Sequence, residues 1–420
     1  LAGLQAQQKL YQETVKALSD PAVTTLVLVA RAEETALREA ARTSGELSAL
    51  GVTNQHVVIN GLFVADDAED PYAVALERRG DLALKGMPQI LKAFPQTKLP
   101  LSPAAVLGIE SLRRLGKPNA KSDDAMHGDV DSAFIKNLPS FGELIDDLVA
   151  PGHGVILAMG KGGVGKTTVA AAIALALAER GFQVRLSTTD PAAHIAATMG
   201  SETLPNLTVN RIDPEAETAK YSSEVMNRAG AGLDPQGKLL LEEDLRSPCT
   251  EEIAVFRAFA DAVGEGTNCF VVLDTAPTGH TILLLDSALA YHREVTRQSS
   301  EMPEAVAQLL PRLRDPQFTR VLIVTLPEST PVHEAASLQR DLRRAEIEPF
   351  AWVINQALSP LDIKDSRMKE RQAYERKYIR EVTDVQAKRV VMIPWQIEPP
   401  IGKAALDKII GTDLQPAETR

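Results

Sequence analysis

The chain has 420 residues, 44% of them hydrophobic and 24% charged, with a formal net charge of -11, a composition ordinary for a globular protein with room for two or three domains. The acidic balance argues against a sequence-independent nucleic-acid or anionic-membrane binder, and no apolar run reaches the ~18 residues of a membrane span. With only Cys249 and Cys269, no disulfide framework exists and a cytoplasmic protein without a leader is expected, although a first residue of Leu1 hints at an incomplete translation product.

Taken in order, residues 1–20 read as a helix ending at Asp20-Pro21, followed by an uncharged, β-rich run from Thr24 to Ala30. The same pattern returns late in the chain at a constant spacing. Asp20-Pro21 lies on Asp315-Pro316, Val29 on Val324, Glu33 on Glu328, Thr35 on Thr330, Glu39-Ala40-Ala41 on Glu334-Ala335-Ala336, and Val58-Ile59-Asn60 on Val353-Ile354-Asn355. After a variable insertion, Leu99-Pro100-Leu101 falls on Ile393-Pro394-Trp395 and Gly108 on Gly402. This is duplication of a domain segment, not a solenoid unit. Residues 1–115 are therefore expected to be the C-terminal part of one copy whose front half lies outside the chain. Residues 116–138, polar and without periodicity, read as a linker, and 139–420 as a complete second copy.

The second copy opens with the apolar run Val155 to Met159, then Gly160-Lys161-Gly162-Gly163-Val164-Gly165-Lys166-Thr167-Thr168, then an Ala- and Leu-rich stretch that Gly181 stops. Strand, G-x-x-x-x-G-K-[ST] and helix together form a phosphate-binding loop. Glycines allow successive backbone N–H groups to converge on phosphate oxygens at a helix N-terminus. Lys166 is expected on the β- and γ-phosphates and the Thr167 hydroxyl on Mg2+. Further strands are expected at 183–188, 269–275, 320–326, 351–355 and 390–393, alternating with helices. That alternation predicts an α/β fold, a P-loop NTPase with a mostly parallel sheet covered on both faces. The charged stretch 364–389 reads as a solvated helix face.

Asp274 ends the run Phe270 to Leu273, where a Mg2+-binding carboxylate belongs. Asp190, in Thr188-Thr189-Asp190-Pro191, either orients the attacking water or caps the next helix. Asn355 either reads the adenine edge or shapes a turn. Ser247-Pro248-Cys249, with Glu251 behind, has the form of a helix start. It sets the Cys249 thiol at the positive helix end, as a ligand for soft metals and metalloids or as a small core residue. Cys269 reads as core, and the lack of C-x-x-C disfavours a shared zinc or iron–sulfur site.

These strings, together with Asp274-Thr275-Ala276-Pro277-Thr278-Gly279-His280-Thr281 and the duplicated architecture, resemble the ArsA family of arsenite-efflux ATPases across essentially the whole chain. The resemblance implies an ATPase that uses ATP and Mg2+, with As(III) or Sb(III) as activator. It implies that Lys161 reaches across an interface into an opposing nucleotide site, supplied by the missing first half or by a second copy. It also implies a metalloid site to which Ser247, Cys249 and His280 contribute, completed by cysteines from the absent front half. The partners implied are a membrane efflux protein and a metallochaperone donor, with the chain peripheral to the inner membrane when bound to its partner. A targeting chaperone for tail-anchored membrane proteins and a nucleotide-switched positioning ATPase are the alternatives on the same fold.

Overall fold

The computed structural model describes residues 2–102, 108–114, 134–135, 137–189, 195–200, 204–275 and 303–411. The chain divides into two compact units, one of Leu1–His127 with Asp362–Tyr374 and one of Gly128–Leu361 with Glu375–Arg420.

The first unit runs α1 (Ala2–Ser19), β1 (Leu26–Arg31), α2 (Glu34–Ala49), β2 (Gln55–Leu62), α3 (Pro71–Lys85), α4 (Gln89–Lys92), β3 (Gln96–Pro100) and α5 (Gly108–Arg114). Its three strands pair in parallel in the order β1-β2-β3. Leu28, Ala30, Leu37, Ala40, Val57 and Ile59 form its small core. The alternation along β1 is one-sided, with Leu28 and Ala30 inward and Val27 and Val29 outward.

The second unit runs α6 (Phe141–Val149), β4 (Gly154–Met159), α7 (Lys166–Glu179), β5 (Val184–Thr188), α8 (Ile195–Met199), β6 (Leu207–Arg211), α9 (Pro214–Arg228), α10 (Pro235–Asp244), α11 (Pro248–Glu265), β7 (Phe270–Asp274), α12 (Glu304–Arg314), β8 (Thr319–Thr325), α13 (Ser329–Arg344), β9 (Ala351–Ala357), α14 (Ser366–Glu381), β10 (Val390–Pro394) and α15 (Lys403–Ile410). Its seven strands are all parallel, in the order β10-β9-β8-β4-β7-β5-β6. Strands β4, β7, β8 and β10 are buried along their whole length, the burial that parallel strands require when helices cover both faces. Helix α7 is apolar all round and buried from Val169 to Ala178, as a helix inside a core must be. At the start of α6 a reciprocal cap holds the entry: Glu143 N donates to Ser140 Oγ (3.2 Å) and Ser140 N to Glu143 Oε2 (2.7 Å).

Two elements differ from expectation. Strand β6 extends the sheet through Leu207–Arg211, a short segment exposed beyond Leu207 that was not among the expected strands. The charged stretch after residue 364 is more than a solvated face, because α14 buries Met368, Glu375, Tyr378 and Ile379. The first half of α14 belongs to the first unit, through two carboxylates at equivalent places in the repeat. Asp70 Oδ1 caps α3, accepting from Tyr72 N (2.8 Å) and Ala73 N (3.1 Å), while its Oδ2 accepts from Lys364 N (2.6 Å) and Asp365 N (2.9 Å). Asp365 returns the arrangement, capping α14 through Arg367 N and Met368 N (both 3.0 Å) and accepting from Asp66 N (2.8 Å).

Candidate functional site

Strand β4 delivers the chain to Gly160, and the loop that follows turns into α7 at Lys166. Two of its glycines do different work. At Gly163 (φ +81°) an added Cβ would meet nothing within 4 Å, so the loop's outer side is open to a ligand. At Gly165 the left-handed φ of +91° favours glycine, and a Cβ would lie 2.2 Å from Asn355 Nδ2, displacing the amide that ties the loop to β9.

Lys166 is buried, and its Nζ donates to the Lys161 carbonyl (3.1 Å), curling over the loop it starts from. Parallel pairing sets Ala158 of β4 beside Asp274 at the end of β7. The Asp274 carboxylate, fully buried, thereby comes to the first turn of α7, where Thr167 Oγ1 donates to Asp274 Oδ2 (2.7 Å). Thr188, at the end of β5, adds a hydroxyl that reaches the Asp274 carbonyl (3.2 Å), and Thr189 N donates to the same carbonyl (3.0 Å). Thr275 donates through Oγ1 to the Ala158 carbonyl (3.0 Å), locking β7 to β4 just beyond the carboxylate. Thr167 and Asp274 offer two adjacent hard oxygen donors, which suits Mg2+, an ion usually held by one or two protein groups together with substrate phosphates. Among the described residues no cluster of three or more His, Cys, Asp or Glu could hold a metal by itself.

On the opposite flank, Asn355 ends up 5% exposed, its Nδ2 donating to the Val164 carbonyl (2.9 Å) and its Oδ1 accepting from Gln356 N (2.9 Å). Lys161, Lys166, Thr167, Asp274 and Asn355 thus converge at one edge of the sheet, where ligands of open parallel sheets bind. Ser247 precedes α11 in extended geometry, but its hydroxyl meets Thr250 Oγ1 (3.2 Å) and caps no backbone N–H. Cys249 is exposed in the first turn of α11, so the small-core-residue alternative does not describe it. Cys269 is half-buried, its Sγ on the Glu265 carbonyl (3.5 Å), and burial pushes its thiol up. Asp190 and His280 lie outside the described residues. The residue that sequence reasoning passed over is Thr188; its place at the end of an apolar strand, two residues before Asp190, was the available signal.

The model of the anion-transporting ATPase family matches residues 1–118, 153–301 and 287–412. The chain belongs to that family. The repeated match within one chain agrees with the duplication, and membership makes the protein an ATPase of the P-loop class. An arsenical pump-driving ATPase of Escherichia coli is 46% identical over 416 residues, which is 98% of this chain and 70% of that protein. One from Acidiphilium multivorum is 45% identical over 413 residues, with the same coverage of 98% and 70%. More distantly, a protein named ATPase get3 from Pyrenophora tritici-repentis is 25% identical over 296 residues, 59% of this chain and 87% of its own length. No helix of this ATPase among the described residues is long and apolar enough to cross a membrane.

Proposed function

We propose that this ATPase hydrolyses ATP under stimulation by arsenite or antimonite and so energises metalloid export through a membrane partner. The meeting of Thr167 with Asp274 beside the phosphate loop carries the hydrolytic part of the reading; the metalloid part is supported by the names of relatives at 45–46% identity over 98% of the chain.

In this reading the loop N–H groups from Gly160 to Thr168 receive the β- and γ-phosphates, and Lys166 exchanges its bond to the Lys161 carbonyl for phosphate oxygens. Thr167 and Asp274 would hold Mg2+, which when bound would neutralise charge developing on the phosphates. Asp190 orients a water, whose oxygen bonds to the γ-phosphorus as the bond to the β–γ bridging oxygen breaks, leaving ADP and inorganic phosphate. Lys161 serves the opposing site across an interface with the other half or a second copy. Cys249, with Ser247 and His280, forms this half's share of the metalloid site, and exposure at the first turn of α11 suits that role.

Steady-state ATP turnover with and without antimonite, in the chain extended by the front half of the first copy and in the same extended protein carrying Cys249→Ser, tests it. Stimulation of the extended protein that disappears in Cys249→Ser is the expected result. Turnover indifferent to antimonite, together with retention of a hydrophobic helical client, would replace the metalloid reading by a targeting role.

A further inference from the structure

The nucleotide reading leaves open what holds the base, and the sheet order narrows where the base lies. Thr167 and Asp274 place the metal and γ-phosphate toward β7, on one side of β4. On the other side come β8, β9 and β10, and in the nucleotide reading the nucleoside extends toward the carboxyl ends of β9 and β10, the side from which Asn355 touches the phosphate loop. Two consecutive residues there are held in unusual ways. Asn355 is bonded to the phosphate loop at the Val164 carbonyl, and Gln356, exposed, sits in the left-handed region at φ +56°. A left-handed glutamine persists only where its surroundings over-determine it.

What over-determines it is the turn that follows. Glu375 of α14 is 3% exposed, and its Oε2 alone accepts from Leu358 N (2.8 Å), Ser359 N (3.1 Å) and Ser359 Oγ (3.2 Å). Burying a carboxylate is costly unless donors surround it, and here the donors belong to the turn that leaves β9. The Trp395 N–H, donating to the Ala357 carbonyl (2.9 Å), ties the same turn to the end of β10. In the first unit the repeat sets Gly80 in the place of Glu375, and the loop after β2 has instead one longer bond, Ala65 N donating to Glu77 Oε2 at 3.3 Å.

We propose that Glu375 is a positioning residue for the nucleotide base. It clamps the turn at Leu358 and Ser359, and through that turn it fixes Asn355 and Gln356 at the base side of the site, setting base selectivity without touching the nucleotide. The inference rests on the nucleotide reading above.

The test compares dissociation constants for Mg-ATP, Mg-GTP and Mg-tripolyphosphate, a probe with phosphates and no base, in the full chain as wild type, Glu375→Ala and Glu375→Gln. Glu375→Ala is expected to weaken ATP about tenfold and to bring the ATP/GTP ratio toward one, with tripolyphosphate held within about twofold. Glu375→Gln, whose amide oxygen still accepts, is expected to fall between. Unchanged ATP/GTP discrimination in Glu375→Ala overturns the proposal, as does a proportional loss of ATP and tripolyphosphate, which would make Glu375 a support of the fold alone. A wild-type chain that binds none of the three probes removes the nucleotide reading itself, and this one with it.

Discussion

Strands β1 and β8 occupy the same place in the repeat, yet Val27 and Val29 are 52% and 63% exposed while their counterparts Leu322 and Val324 are fully buried. Their backbones do not explain it. Gly51 and Glu346 share the left-handed region at φ +88° and +64°, Gly61 and Gln356 at +76° and +56°, and Gly108 and Gly402 at +79° and +80°. The difference lies in the neighbours: β8 pairs with β4 and packs in one core with α7, whereas β1, among the described residues, is the edge of its sheet. An apolar strand therefore states a capacity for burial, and the covering element decides whether it is used. In the second unit that covering element is α7, the helix into which the phosphate loop runs, so core and chemistry depend on one element.

The sharpest way to break the comparison is through chemistry. Lys166→Ala, at the first residue of α7, is expected to lower kcat for ATP by about 10²–10³-fold, read by steady-state phosphate release; undiminished turnover would place the activity outside the covered face. Next in size is a matched pair of truncations. Leu322→Ala is expected to cost roughly 2–5 kcal/mol, against less than about 0.5 kcal/mol for Val27→Ala, in denaturant melts. Equal losses would show that the β1 face is covered in solution.

A third test uses pH in the first unit. Burial is the largest single influence on Asp70 and pushes its carboxyl up, but the N–H groups of Asp365, Lys364, Ala73 and Tyr72 together hold it below the ordinary range. A depressed carboxyl contributes stability above the unfolded value of about 3.9 and loses it as pH falls through the folded value. Asp70→Asn is thus expected to lose roughly 1–2 kcal/mol near pH 7, with the gap closing as pH falls through the folded value, in Tm measured against pH. Asp365 runs the opposite way. Burial first, and then the hydrogen bond with the Asp66 carboxyl, push it up, so its contribution is complete below the unfolded value and fades as pH rises through the folded one. The smallest effect separates the shared backbone from its residues: Glu346→Gly should gain, and Gly51→Ala lose, on the order of 1 kcal/mol at these left-handed positions.

Much of this was legible in the sequence because the informative residues sit next to the signal that announces them. Lys166 and Thr167 follow a strand and glycines, and Asp274 ends an apolar run, so adjacency on a parallel sheet was enough to bring them together. Strand β6 was not legible because its alternation, Leu207 and Val209 against Thr208 and Asn210, lasts only four residues and, at the sheet edge, leaves all but Leu207 exposed. Glu375 and Asp365 were hidden for another reason. Both lie in a stretch whose charge suggests solvent, and their partners are backbone N–H groups, which leave no trace in residue type.

The exchange of caps between Asp70 and Asp365 bears on how the gene can be divided. A fragment encoding residues 139–420, the natural cut by sequence repeat, would translate Asp362–Tyr374 without Asp66 and Asp70. The N–H groups of Lys364, Asp365 and Ser366 would lose their carboxylate acceptors, and the start of α14 would have to be held by water alone. Expressing the second repeat by itself would therefore yield a chain with a frayed helix start, nine residues before Glu375, and supplying the first repeat as a separate polypeptide would be the way to mend it.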